Sequence, residues 1–120
     1  MIKVEKTANT LEEGITNMMQ GAKDDYIKMS TSGGKELDGW SKEQVEQWDS
    51  KTKVSFGKKF IKIVQDTGVL SFVMKEDSVR FRKGDILKAA SWRAPALNSP
   101  RGNVLTGNYP IQWTGPLYLK

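Results

Sequence analysis

The 120-residue chain reads as a single α+β domain: an N-terminal helix or helices, then a small antiparallel sheet that is curled or partly closed as a barrel. Three observations lead there. Apolar residues recur at helical spacing from Leu11 to Tyr26, the texture after Trp48 switches to Lys, β-branched and aromatic residues, and the length suits one hydrophobic core. The change of texture coincides with a change of charge. Residues 1–50 hold 6 Lys against 10 acids, a balance of −4, whereas residues 51–120 hold 13 Lys plus Arg against 4 acids, a balance of +9. The single domain, 1–120, therefore divides into an acidic helical arm, 1–50, and a basic β-rich unit, 51–120.

The first helix is expected from Thr10. Leu11, Ile15, Met18, Met19, Ala22 and Tyr26 follow at spacings of three and four, which sets them on one face, and Thr10 with Glu13 has the form of a capping box. Gly14 and Gly21 each cost about 1 kcal/mol against Ala in a helix interior, so the segment needs a surface to pack on. The Met stripe fits either core or an interface between copies, for which Met18, Met19 and Tyr26 are the candidates. Asp24 and Asp25 read as a solvated face. Ser30 to Gly34 is a joint, and the polar stretch to Gly39 continues it. Ser41 with Gln44 offers a second capping box for a helix through Trp48, with Trp40 stapled onto Val45.

Strands follow. The runs from Lys59 to Gln65 and from Val69 to Lys75 flank Asp66-Thr67-Gly68, where Gly68 can supply the positive φ of a hairpin turn. A third strand is expected over Ile86 to Trp92 after the Gly84-Asp85 turn. Residues 94–107 carry two Pro and two Gly and read as an ordered or semi-ordered loop. From Tyr109 onward, Ile111, Trp113 and Leu117 or Tyr118 are expected to pair with the sheet around Gly115-Pro116.

The composition narrows the chemistry. With no Cys and no His, disulfides, thiolate zinc sites, imidazole-ligated metals and Ser-His or Cys-His nucleophilic systems are excluded. The acids of the basic half, Asp66, Glu76, Asp77 and Asp85, fall at turns, where such residues usually satisfy local backbone donors. No enzyme, cofactor or metal is therefore expected. The start of the chain has neither a secretory apolar core nor a membrane-spanning run, which makes the cytoplasm of a bacterial host the expected location, away from any membrane.

The remaining candidate is a binding surface. Arg80, Arg82, Lys83, Lys88, Trp92, Arg93 and Arg101 mix phosphate-neutralising side chains with an aromatic face on which an unpaired base can stack. Each has a plainer reading beside it: Arg80-Phe81-Arg82 also describes a half-buried strand, Trp92 also suits a core plug, and Pro100-Arg101-Gly102-Asn103 is also ordinary turn chemistry. Exposure decides between them.

The segment Lys83-Gly84-Asp85-Ile86-Leu87-Lys88-Ala89-Ala90-Ser91-Trp92-Arg93-Ala94-Pro95, continued by Pro100-Arg101-Gly102-Asn103, resembles small uncharacterised proteins of tailed bacteriophages and marine viral metagenomes. That resemblance implies a phage or environmental origin and no assigned activity. The Lys-Gly-Asp turn feeding a strand is also similar to small barrels of the SH3-like and OB types, a fold analogy that carries no function. The resulting expectation is a non-catalytic module for single-stranded or duplex nucleic acid. The alternative is a homo-oligomeric structural or adaptor protein without nucleic-acid binding, held by the Met-bearing helix and by opposite charges of the two halves.

Overall fold

The computed structural model describes residues 2–116. A short strand β1 (Ile2–Val4) leads into the long helix α1 (Leu11–Ser30), which starts where the capping residues place it. Thr10 Oγ1 accepts the backbone N–H of Glu13 at 3.1 Å, while the Glu13 carboxylate accepts the N–H of Asn9 at 3.2 Å, one residue earlier than the strict box. The predicted stripe is buried in the main core. Met18, Met19 and Tyr26, expected also at an interface between copies, spend their side chains on this intrachain packing and are almost wholly buried.

The glycines of α1 are contact points. A Cβ on Gly14 would lie 2.5 Å from Val104 O, and one on Gly21 would lie 2.6 Å from Val4 Cγ2, so the helix backbone rests directly on its neighbours. Asp25 departs from its expected solvated role: it is buried and accepts the backbone N–H of Trp113 at 3.0 Å, which ties α1 to the C-terminal segment.

A 3₁₀ turn at Ser32–Gly34 forms the joint. The next helix, α2 (Gly39–Glu46), begins earlier than expected, because Asp38 rather than Ser41 caps it. The Asp38 carboxylate accepts the N–H of Ser41 at 2.9 Å, and that bond is the chief cause of its pKa lying below the usual aspartate value. Trp40 thus falls inside the helix and, instead of stapling onto Val45, stands 67% exposed. In the short helix α3 (Trp48–Lys51), Trp48 is buried with its ring centroid 6.0 Å from that of Tyr26.

The sheet is antiparallel throughout, with β2 (Thr52–Phe56), β3 (Phe60–Gln65), β4 (Gly68–Met74) and β5 (Ile86–Leu87) lying side by side in chain order. The expected β3–β4 hairpin forms around a tighter turn, Asp66-Thr67, and Asp66 rather than Gly68 takes the positive φ, 58°. Aspartate tolerates that region better than most residues. Ile63 faces Ser71 and Val64 faces Val69, so Leu70 is left over as a bulge in β4.

Past Leu87 the expected third strand ends early. Its outer edge is taken by the 94–107 loop, with Ile86 N–H donating to Gly102 O at 2.8 Å and Val104 N–H to Gly84 O at 2.9 Å. The sheet stays open instead of closing as a barrel. The C-terminal pairing is also corrected: β6 (Tyr109–Ile111) joins β1, not the larger sheet, with Ile2 opposite Ile111 and Val4 opposite Tyr109. Leu117 and Tyr118 lie outside the described residues. Among the described residues no helix is long and apolar enough to cross a membrane.

Strand alternation gives the four-stranded sheet two faces. Ile61, Ile63, Val73 and Ile86 belong to the core that α1 covers, while Phe72, Met74 and Leu87 join Phe81 in a smaller cluster on the opposite, outer face.

Candidate nucleic-acid interface

With Ile61 and Ile63 committed to the inner core, the period of two sends Lys62 to the outer face, directly opposite Phe72. There its Nζ lies 3.8 Å from the ring centroid of Trp92, a cation–π contact. Trp92 is 53% exposed, which decides against its reading as a core plug. Arg93 beside it is exposed as well. The loop carrying Trp92 is held by Ser91, whose Oγ accepts the backbone N–H groups of Arg93 and Ala94, each at 3.2 Å.

At the other end of the same face, Phe60, Met74, Phe81 and Leu97 line a groove of about 280 Å³ rimmed by Lys59 and Arg80. The Arg80 guanidinium carbon is 5.4 Å from the Phe81 ring centroid. Phe81 is buried and Arg80 exposed, so the alternation expected of Arg80-Phe81-Arg82 holds in its effect, although the segment is irregular rather than strand. Arg82 and Lys83 are exposed in the turn that follows, where Gly84 takes φ 91°.

The structure does not bring all the expected cations to this face. Lys88 Nζ lies 3.4 Å from Pro116 O, in the C-terminal turn. Arg101 folds back on its own loop, its Nη1 donating to Asn98 Oδ1 at 2.9 Å and to Ser99 O at 3.1 Å. Gly102 is a point of close packing within this chain, since a Cβ there would run into the Tyr109 side chain. Asn103 is the joint between the two loops. Its Nδ2 donates to Lys83 O at 2.9 Å and to Asp85 Oδ1 at 3.0 Å, and its Oδ1 accepts the N–H of Leu105 at 2.8 Å.

Three of the four acids of the basic half are accounted for by local structure. Asp85 is buried and accepts the N–H of Arg82 at 2.9 Å, Asp77 accepts the N–H of Lys83 at 2.8 Å, and Asp66 occupies the β3–β4 turn. What remains on the outer face is an exposed aromatic ring, apolar patches and Lys or Arg side chains reaching past them.

Lys59 and Lys62 were not among the residues singled out in the sequence. The alternation Phe60-Ile61-Lys62-Ile63 carried the signal for Lys62, since a lysine between two buried isoleucines of one strand must sit on the far face.

Comparison with known proteins adds membership but no activity. The chain matches the model of DUF7717, a family of unknown function, over residues 1–119, and so belongs to that family. No curated protein and no solved structure matches it.

Proposed function

We propose that this member of DUF7717 is a non-catalytic module that binds single-stranded nucleic acid on the outer face of its four-stranded sheet. The observation that carries the reading is Trp92, more than half exposed, with Lys62 Nζ 3.8 Å from its ring centroid and Arg93 exposed alongside. An indole held in this way offers a π-surface to an unpaired base, worth about 1–3 kcal/mol per stacked base, while neighbouring cations neutralise phosphates. A duplex keeps its base faces stacked inside, so an exposed ring favours single strands.

Titration of a labelled oligothymidylate, followed by anisotropy, tests this. Binding should weaken as salt rises, and Trp92→Ala should cost about 1–3 kcal/mol with the unfolding midpoint unchanged. Lys62→Ala and Arg93→Ala should each flatten the log–log salt slope by about 0.7. Affinity indifferent to Trp92→Ala, or no binding at low salt, would sink the reading.

A second reading, self-association, has its own observation. β2 is an edge strand whose Val54 and Phe56 lie across from the buried Ile63 and Ile61, yet both remain exposed. Antiparallel pairing of two copies about Val54 would set Lys53 opposite Ser55 and cover both apolar side chains. Light scattering should then report a dimer that Val54→Lys dissociates; a monomer at high protein concentration would remove this reading.

A further inference from the structure

A cleft lies away from the Trp92 surface, between α1, α2, the β3–β4 turn and the C-terminal turn. It encloses about 320 Å³, at the small end of ligand pockets. Tyr26 and Trp48 are its buried aromatic walls, and Trp113 meets Tyr26 edge-on with centroids 5.2 Å apart. Trp40 lines it from α2 and Asp66 from the β3–β4 turn. We infer that this cleft binds a quaternary or trimethylated ammonium group.

Charge is the first argument. The chain has 19 Lys plus Arg, yet among the described residues that line the cleft the sole charged one is the carboxylate of Asp66. Aromatic faces are negative and attract a weakly hydrated cation, more so where water is excluded. Four indole or phenol rings and one carboxylate line the cleft, and the Lys51 ammonium beside it is held on Gln44 Oε1.

The second argument is the state of the polar side chains. Gln44 Oε1 already accepts from Lys51 Nζ at 3.5 Å, Gln65 Oε1 accepts from Thr52 Oγ1 at 2.5 Å, and Gln65 Nε2 donates to Trp48 O at 3.3 Å. A sugar or a primary ammonium brings several donors that must each be satisfied on burial, and the two glutamine oxygens already accept one bond each. A trimethylammonium group has no N–H to satisfy. The exposure of Trp40, on a helix whose start is fixed by the Asp38 cap, leaves an indole open above the buried pair.

Free choline and a trimethyllysine side chain present the same group, and the test separates them. The full-length chain is titrated with choline, with a trimethyllysine peptide, and with dimethylbutanol, the neutral carbon isostere of choline, while tryptophan emission is recorded. At least one of the two cations should give saturable binding, and the isostere should bind about tenfold or more weakly, because only the cation gains from the ring faces. The tighter of the two cations identifies the source. Trp40→Ala should weaken cation binding about tenfold and Asp66→Asn several-fold, with unfolding midpoints unchanged because both side chains are exposed. Asparagine also tolerates the positive φ at position 66.

Equal binding of the isostere, or no saturable signal from either cation up to about 10 mM, would overturn the inference. Trp92, Lys62 and Arg93 do not line the cleft, so failure of one assignment leaves the other standing.

Discussion

Tyr109 is a residue whose burial has a measurable cost. Its side chain is enclosed between Gly102 and the core, and its hydroxyl has no hydrogen-bond partner among the described residues. Burial pushes the phenol pKa above its ordinary value of 10.0. The sign follows from linkage: below that value the phenol is neutral in both states, and above it the unfolded chain ionises first, so folding stability falls as pH rises. Replacing Tyr109 with Phe removes an unpaired buried hydroxyl at nearly constant shape. Denaturant unfolding should show Tyr109→Phe more stable by about 1 kcal/mol at neutral pH, with a larger advantage above pH 10. A loss at neutral pH would mean that the hydroxyl is satisfied after all. Nothing in the linear sequence marks this residue, because its burial depends on a glycine seven positions earlier coming to rest on its ring.

At the scale of elements, α1 sets the inner architecture, and Gly14 is where this is most sharply tested. In an isolated helix Ala at this position would gain about 1 kcal/mol over Gly. Here the added methyl would lie 2.5 Å from Val104 O and 2.8 Å from Val104 Cβ, and overpacking of that kind costs about 1–3 kcal/mol. The second effect wins where the neighbour is backbone that cannot rotate away. Gly14→Ala should therefore lower the urea midpoint, and a raised midpoint would show that α1 lifts off the 104 loop freely.

The same comparison explains what was legible beforehand. The α1 stripe and the β3–β4 hairpin follow from local periodicity, and both form as expected. The pairing of β6 with β1 joins Ile111 to Ile2 across nearly the whole chain, and no local pattern encodes it. The Asp38 cap was hidden because Ser41 with Gln44 mimics a capping box three residues later. At the site, Trp92 and Arg93 were visible as residue types, but Arg101 and Lys88 could be placed only once their loop partners were known.

For the whole molecule, the proposed function divides the two sheet faces between stability and recognition. The inner face is filled by α1 and carries the core, so its residues are constrained by packing; the outer face keeps a small apolar cluster under loops and leaves Trp92, Lys62 and Arg93 at the surface. Binding on the outer face should be separable from folding. Variants at Lys62 and Arg93 should unfold within about 0.5 kcal/mol of the parent while losing nucleic-acid affinity. Comparable losses in both would show that these side chains mainly hold the sheet together.

The chain has four tryptophans, at positions 40, 48, 92 and 113, and each gives one indole resonance in a proton–nitrogen correlation spectrum. The most direct measurement follows those signals while oligothymidylate is added at low salt. Binding on the outer face should move the Trp92 indole signal and return it as salt is raised, while the buried Trp48 indole stays in place. A stationary Trp92 resonance at saturating oligonucleotide, or movement confined to Trp40 and Trp113, would contradict it.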